Sequence, residues 1–455
     1  MTLYPLFKLD ALNGFVAIAI GLFCVLTLVY SLRFIPPLCK RAGGIVKQIK
    51  YYSLIILTAI ASVGVVLSNN LLLLLGLWGF LGLTLYLLVA FGSDNAAGTA
   101  KKTFIIVGGT DALMLLGVGI IYYLTGTFQI DSIRIQLAGL PGSQLAVFAY
   151  ICLALACFAK AGAMPFHSWI PEYAEHAPIP AVAFLPASLD KLLGIYLLAR
   201  ISIDLFVITP GLNIFLMLIG AVTIVAAVMM ALIQHDMKKL LGYHAVSQVG
   251  YMVLGIGTGT AIGIAGGIFH MLNHAIYKSC LFLTAGNVEY RTNSTELDKL
   301  GGLSKQMPLT YICALIASLS ISGVPPFNGF VSKWMVYQGL IQRVASHQSQ
   351  VTSIICLVAA MFGSALTLAS FMKLIHAAFL GQPENQKTSE QINEVPWQMW
   401  LPCVILAILC ITFGVFANQV PLKYFILPAI SGVTFIGSWY AGLSTLLIIL
   451  GLGLG

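Results

Sequence analysis

The sequence predicts an all-α, polytopic membrane protein of roughly thirteen transmembrane helices. Three observations predict it. Of 455 residues, 59% are hydrophobic and only 8% are charged, whereas a soluble domain carries about 25% charged residues. Apolar runs near the roughly 20-residue length of a bilayer crossing recur along the whole chain. The polar stretches between them are short, the longest being GQPENQKTSEQINEVP. No soluble domain is expected, and no Gly-rich nucleotide loop follows a strand pattern.

The first span is drawn at 11–33. The segment ahead of it, MTLYPLFKLD, has no basic leader, and the run is long enough to stay in the bilayer, so it reads as a span and not as a cleavable signal. The loop RFIPPLCKRAGGIVKQIK then carries Arg33, Lys40, Arg41, Lys47 and Lys50 with no acid. Basic residues collect on the cytoplasmic side. The loop is therefore expected there, with the N-terminus outside and the C-terminus inside a cell (inner) membrane. With that orientation the larger share of the 23 Lys and Arg residues lies in cytoplasmic loops, which accounts for the net charge of +8 without nucleic acid.

Further spans are drawn at 51–67, 70–91, 103–125, 145–165, 179–200, 211–233, 241–258, 262–287, 308–342, 351–379, 397–418 and 430–452. Segment 308–342 exceeds one straight crossing and holds SGVPPFNG near its middle, so a broken helix is predicted. AKAGAMPF interrupts 145–165 in the same way. The organisation that follows is an N-terminal helix and basic loop over 1–50, a first repeat over 51–200, a second over 201–379, and a connector with C-terminal helices over 380–455. Each repeat counts about five spans, an odd number, so the two lie inverted in the membrane. Discontinuous helices at equivalent positions of two halves point to an ion site.

Lys160, Lys191, Lys278, Lys333 and Lys373 all lie inside apolar runs. An ammonium there costs a few kcal/mol on insertion scales, which makes function the default reading. Asp111 and Asp190 are the embedded carboxylates, too few to pair with every lysine. For Lys160 the competing reading is snorkelling to an interface, but it lies about 15 residues into its span and a break follows at Pro165. An internal pair with Asp190 competes for Lys191, although adjacent helical residues point apart. For Lys333 the competitor is a lysine held by freed backbone carbonyls. Lys373, near the end of its span, reads better as a snorkeller.

His270, His274 and Lys278 recur every four residues and share one helix face. Singly, each histidine reads as a satisfied core residue, whereas three titratable groups in register favour a relay. No HExxH is present. The nine cysteines show no CxxC or paired ligand spacing, so neither a metal nor a cofactor is expected, and no redox or catalytic chemistry is assigned to this chain. His167, Glu172, Glu175 and His176 follow the first break, where cytoplasmic uptake of protons competes with simple solvation. Lys238 and Lys239 read as anchors of a helix end, with Lys239 also a candidate for uptake.

FAKAGAMPFHSWIPEYAEHAP, DKLLGIYLLAR, HDMKKLLGYHAVSQVGYMVLGIG, FHMLNHAIYKSCLFLTAG and SGVPPFNGFVSKW follow one another in order. Together they resemble the antiporter-like membrane subunits shared by respiratory complex I, membrane-bound energy-converting hydrogenases and multi-subunit sodium/proton antiporters. The resemblance covers about 51–420. It implies proton translocation through two half-channels joined by buried lysines and histidines. By that likeness Lys160 matches the lysine of the first broken helix, Lys191 the lysine of the next helix, and Lys333 the charged residue of the second broken helix. His270, His274 and Lys278 match the connecting groups. The implied partners are other membrane subunits, an iron-sulfur or nickel-containing peripheral arm, the lipid bilayer and protons, with sodium as the alternative ion.

One departure matters. The family usually has a glutamate just after the tryptophan of the third span, paired with the broken-helix lysine; here Trp78 is followed by Gly79. Asp111 and Asp190 are the candidate substitutes. Three functional readings follow: a proton-translocating subunit of a redox-driven complex, a subunit of a cation/proton antiporter, or a structural subunit that conducts nothing.

Overall fold

The computed structural model describes residues 6–40, 44–92, 96–138, 143–382 and 392–430. The chain is built from helices, and among the described residues β pairing is limited to isolated bridges such as Asp236 with Glu296. The expected span 430–452 and the middle of the 380–396 connector lie outside the described residues.

The long helices are α1 (Ala11–Lys40), α2 (Gly44–Leu67), α3 (Leu71–Val89) and α4 (Ala96–Thr125). After the short α5 (Ile130–Ala138) come α6 (Gln144–Ala161), α7 (Trp169–His176), α8 (Ile179–Phe184) and α9 (Asp190–Arg200). Next are α10 (Pro210–Leu232), α11 (Met237–Gly257) and α12 (Ala261–Thr292). The remainder is α13 (Leu303–Gln306), α14 (Pro308–Ser322), α15 (Asn328–Ala345), α16 (Gln350–Ile375) and α17 (Trp397–Val415). Among the described residues nine helices are long and apolar enough to cross a membrane.

Helix starts are fixed by short polar caps. Asn70 accepts from the N–H groups of Leu72 and Leu73, Thr209 from Leu212, Asp236 from Lys239 and Thr260 from Gly263. Each cap satisfies donors that a bilayer leaves without water.

Burial sorts the helices into an interior and a lipid-facing shell. The apolar window of Ile179–Leu205 is 100% buried, whereas those of Ala96–Thr125 and Gln350–Leu380 are only 33% buried. Within the interior, small residues let backbones touch. A side chain at Gly220 would begin 2.7 Å from the Gly250 carbonyl oxygen, and one at Gly250 would begin 2.6 Å from that of Gly220, so α10 and α11 approach at their glycines.

Two expected spans differ in detail. Segment 179–200 is not one straight helix: α8 and α9 are joined by a π turn, Leu185–Leu189. Pro186 lacks an N–H, which breaks the ordinary hydrogen-bond ladder. Serine hydroxyls supply donors to the carbonyls just ahead of it: Ser188 Oγ donates to Ala183 (3.0 Å) and Phe184 (2.6 Å), and Ser279 Oγ donates to Ala183 (3.0 Å). Segment 145–165 ends as a helix at Ala161.

Charge gathers at the two ends of the bundle. At one end Lys102 pairs with Glu172, Lys239 with Glu175 at 3.0 Å and Lys238 with Glu289 at 2.8 Å. A half-open cleft of about 410 Å³ there is lined by Pro37, Leu38, Glu175, His176, Lys238 and Glu289, so this is the end that carries the basic 33–50 segment, expected as a loop, which instead extends α1 to Lys40 and opens α2 from Gly44. At the other end Lys8 pairs with Asp131, Arg134 with Asp204, and Arg200 with Asp10 and Asp204.

Candidate functional site

Two helix breaks frame the interior and share one local geometry. Helix α6 stops at Gly162 (φ 83°, ψ 36°), and α14 stops at Gly323 (φ 80°, ψ 37°). In each, the X–Pro bond three residues beyond the glycine is cis, Met164–Pro165 and Pro325–Pro326. The left-handed glycine turns the N–H groups back onto the last helical carbonyls: Gly162 and Ala163 both reach Phe158 O, at 2.7 and 2.8 Å, and Val324 reaches Leu319 O at 3.0 Å.

At the first break Lys160 is fully buried in the last turn of α6. Its Nζ lies 3.8 Å from Asp190 Oδ1 and 5.4 Å from the centre of the Trp78 ring. Neither Lys160 Nζ nor Asp190 Oδ2 has a hydrogen-bond partner. The pair is an electrostatic contact with polar capacity left over, the setting in which a bridging water is accommodated. Trp78 also donates its Nε1–H to Asp111 Oδ1 at 2.9 Å, so the indole stands between Asp111 and Lys160. Of the two candidate acids, Asp190 faces the lysine at 3.8 Å, while Asp111 lies within electrostatic reach of it and accepts from Trp78. Gly79 is exposed, with open space where a side chain would stand.

Lys191 makes no ion pair or hydrogen bond with its neighbour Asp190. Its Nζ lies 5.7 Å from the Trp169 ring centre and 3.8 Å from where a Cβ on Gly162 would be. Asp190 therefore faces Lys160, while Lys191 sits over the break.

The next helix face inward is that of α12, where His270, His274 and Lys278 are all fully buried. Lys278 Nζ donates to Leu241 O at 2.7 Å and lies between the rings of Phe282 and Phe371. Neither ring nitrogen of His274 has a partner in good hydrogen-bond geometry, and the backbone at Ala187 in the π turn faces the ring. His270 Nδ1 lies 2.9 Å from Ser332 Oγ, and its Nε2 lies 3.2 Å from both Gln248 Oε1 and the Tyr277 hydroxyl.

At the second break Lys333 folds back over Gly323 and donates to Ile321 O at 2.8 Å, with its Nζ 4.7 Å from the centre of the Tyr251 ring. The freed carbonyl is the partner of this lysine, and among the described residues no carboxylate is paired with it.

His244, on α11, is a site residue that sequence reasoning misses. It is fully buried, its Nε2 lies 2.7 Å from Ser370 Oγ, and it packs on Phe371. Both Lys278 and Lys333 lie within electrostatic reach of it. The electrostatic neighbours form one continuous series: Asp190 with Lys160 and Lys191, Lys191 with His274 and Lys278, Lys278 with His244, and His244 with Lys333. His270 lies beside Lys333 as a branch. The signal in the sequence is a lone histidine without a titratable partner on its own helix face.

The remaining candidates lie elsewhere. Glu172, Glu175 and Lys239 form the ion pairs at the bundle end. His176 Nδ1 lies 3.2 Å from Thr99 Oγ1. His167 is half-buried in the turn after the first break, with Nδ1 unpaired. Lys373, expected to snorkel, is half-buried in the last turn of α16 and caps α10: its Nζ donates to the carbonyls of Leu232 (3.2 Å) and Gln234 (2.9 Å).

Fold and site together define a class: a helical membrane protein whose interior holds a row of titratable side chains between two discontinuous helices. Residues 68–367 match the family described as NADH:quinone oxidoreductase/Mrp antiporter, TM, and the chain belongs to that family. It is 32% identical over 449 residues to a Na(+)/H(+) antiporter subunit of Alkalihalophilus pseudofirmus, covering 93% of this chain and 54% of that protein. Hydrogenase-4 component B of Escherichia coli is 30% identical over 434 residues, covering 91% of this chain and 63% of that protein. The chain thus spans about half the length of the antiporter relatives it matches.

Two solved structures share the fold. A chain of the membrane-bound sulfane sulfur reductase, an archaeal respiratory membrane complex, aligns with a TM-score of 0.84 at 25% identity, covering 100% of this chain and 74% of that one. A chain of the Mrp complex from Dietzia sp. aligns with a TM-score of 0.81 at 21% identity, covering 93% and 84%.

Proposed function

We propose that this chain is the proton-translocating membrane subunit of a redox-driven complex, hydrogenase-like or complex I-like, and that protons move along the row from Lys160 to Lys333. The observation that carries this reading is the row itself. Its groups are fully buried, and beyond Lys160 its lysines meet backbone carbonyls and aromatic rings in place of carboxylates.

Such a row passes charge by repulsion. Two ammonium groups about 8 Å apart at an effective dielectric near 20 repel by roughly 2 kcal/mol, enough to shift proton affinity by more than tenfold. A proton arriving at one site therefore favours release from the next. Protons enter at the end that carries Glu172, Glu175, Lys239 and His167, which the basic 33–50 segment marks as cytoplasmic; the N-terminus is then outside and the C-terminus inside a cell membrane. The matched geometry of the breaks supports two inverted repeats over 51–200 and 201–379. The partners are other membrane subunits, with an iron-sulfur or nickel-containing peripheral arm supplying the redox energy.

A second reading, a subunit of a cation/proton antiporter driven by ion gradients alone, is favoured by the 32% identity to an antiporter subunit over 93% of the chain. Purification of the native complex and identification of its subunits separates the two: iron-sulfur or nickel proteins select the first, small membrane subunits alone the second. In either assembly Lys160→Ala and Lys333→Ala should each cut proton flux by about tenfold or more. Unchanged flux in both variants would exclude the row as the path.

A further inference from the structure

Asn273 stands on α12 between His270 and His274 and is fully buried. Its Nδ2 donates at 2.9 Å to the carbonyl oxygen of Asn328, the first residue of α15. A carbonyl only accepts, so this contact fixes which way the amide points. The Oδ1 on the other side of the amide has no hydrogen-bond partner among the described residues. A polar atom buried without a partner is costly, and a bilayer offers it no water. Leucine has the same branched outline without that cost, so what the asparagine supplies is its contact with Asn328.

Asn328 joins the two pieces of the second broken helix. Its side-chain Oδ1 accepts from Ser320 Oγ in the last turn of α14. A Cβ on Gly329 would lie 1.9 Å from Ser320 O, so the start of α15 rests on the end of α14. One turn beyond Asn328, Ser332 Oγ donates to Gly329 O at 3.2 Å and lies 2.9 Å from His270 Nδ1. Helix α12 therefore grips the first turn of α15 at two points, Asn273 on Asn328 and His270 on Ser332. Lys333 follows directly, about 7.5 Å along the helix from Asn328 at a rise of 1.5 Å per residue.

The first break is held differently. There the Met164 N–H donates at 3.1 Å to Thr223 Oγ1 on α10, a helix that carries no member of the row. At the second break the helix of the histidines is itself the support.

We propose that Asn273 is a positioning residue of the pathway: it seats the start of α15 on α12 and so sets where Lys333 stands relative to His270. This rests on the row running to Lys333. Asn273 carries no proton of its own, because an amide stays neutral while it donates and accepts. Its effect is geometric. Lys333 reaches Ile321 O by folding back over Gly323, a contact that needs α14 and α15 in fixed register across the break. Without Asn273 the first turn of α15 is free to move against α12, and Ser332 and Lys333 move with it. A misplacement of about 1 Å at a reacting group can cost about a hundredfold in rate.

The test measures proton flux against pH in proteoliposomes holding the intact complex, with Asn273→Leu, Asn273→Asp and Lys333→Ala. The thermal midpoint and subunit composition of each are measured alongside. Asn273→Leu removes the donor and keeps the outline, and Ser332 Oγ still lies 3.4 Å from Asn328 O. Its flux should fall about tenfold or more at every pH, with a midpoint close to the parent's. Asn273→Asp keeps a donor while its carboxyl is neutral and sets a negative charge against Asn328 O once ionised. Relative to the parent, its flux should be near normal at low pH and fall as pH rises. Parent-like flux in Asn273→Leu, with Lys333→Ala inactive, overturns the positioning role and leaves the row standing. Equal loss in Asn273→Leu and Asn273→Asp at every pH, with both midpoints lowered, also overturns it, because Asn273 would then serve packing alone. If Lys333→Ala itself conducts normally, the row fails and the positioning role with it.

Discussion

Lys160 and Asp190 face each other 3.8 Å apart with almost no access to solvent. Removing one partner of such a pair leaves an uncompensated buried charge, at a cost of about 3–5 kcal/mol. Lys160→Ala should therefore weaken the assembled complex measurably in a thermal-unfolding experiment, and the double variant Lys160→Ala/Asp190→Asn should recover much of that stability without recovering flux. If the double variant is no more stable than the single one, the two groups do not compensate each other. His244 has no signature in the sequence. Its neighbours come from α12, α15 and α16, and no spacing along α11 announces them.

The two helix breaks set the geometry of both ends of the row. Both need a glycine because φ near 80° is a region that residues with a Cβ enter at a cost of roughly 1–2 kcal/mol. The two sites then differ in room. A Cβ on Gly162 would lie 1.8 Å from Ile170 Cδ1, whereas one on Gly323 would lie 3.0 Å from Lys333 Cδ. Gly162→Ala should thus lower the thermal midpoint of the complex more than Gly323→Ala, and Gly323→Ala should displace Lys333 and slow flux at modest cost in stability. Equal effects on stability would count against this account. The breaks were legible in the sequence because Gly and Pro interrupt long apolar runs. The π turn at 185–189 was not: Pro186 sits in an otherwise regular run, and the serines that donate to the carbonyls beside it are ordinary core residues until the fold aims them.

Across the whole molecule, ion pairs collect at the two ends and the titratable row crosses between them. Lys102–Glu172 and Lys239–Glu175 are each about one-third exposed, so each contributes less than about 1 kcal/mol to stability. Replacing both acids, as Glu172→Gln/Glu175→Gln, should leave the unfolding midpoint nearly unchanged yet slow proton uptake, measured as flux at limiting proton concentration. A large loss of stability with normal flux would make them structural. The membrane class and the order of the helices were legible from hydropathy alone, and the inward faces of α6, α9 and α12 from lysines misplaced in apolar runs. Which acid stands opposite Lys160 was not legible, because it depends on how α9 rotates after the π turn.

The backbone carbonyls that hold Lys278 and Lys333 bear on how smoothly charge can move. An amine donates a hydrogen bond whether or not it carries the extra proton, so the bonds to Leu241 O and Ile321 O persist in both states. A carboxylate partner would lose its attraction each time the lysine discharged. On the proposed path the side chain would keep its seat while the proton passes, and little nuclear rearrangement would be demanded at each transfer.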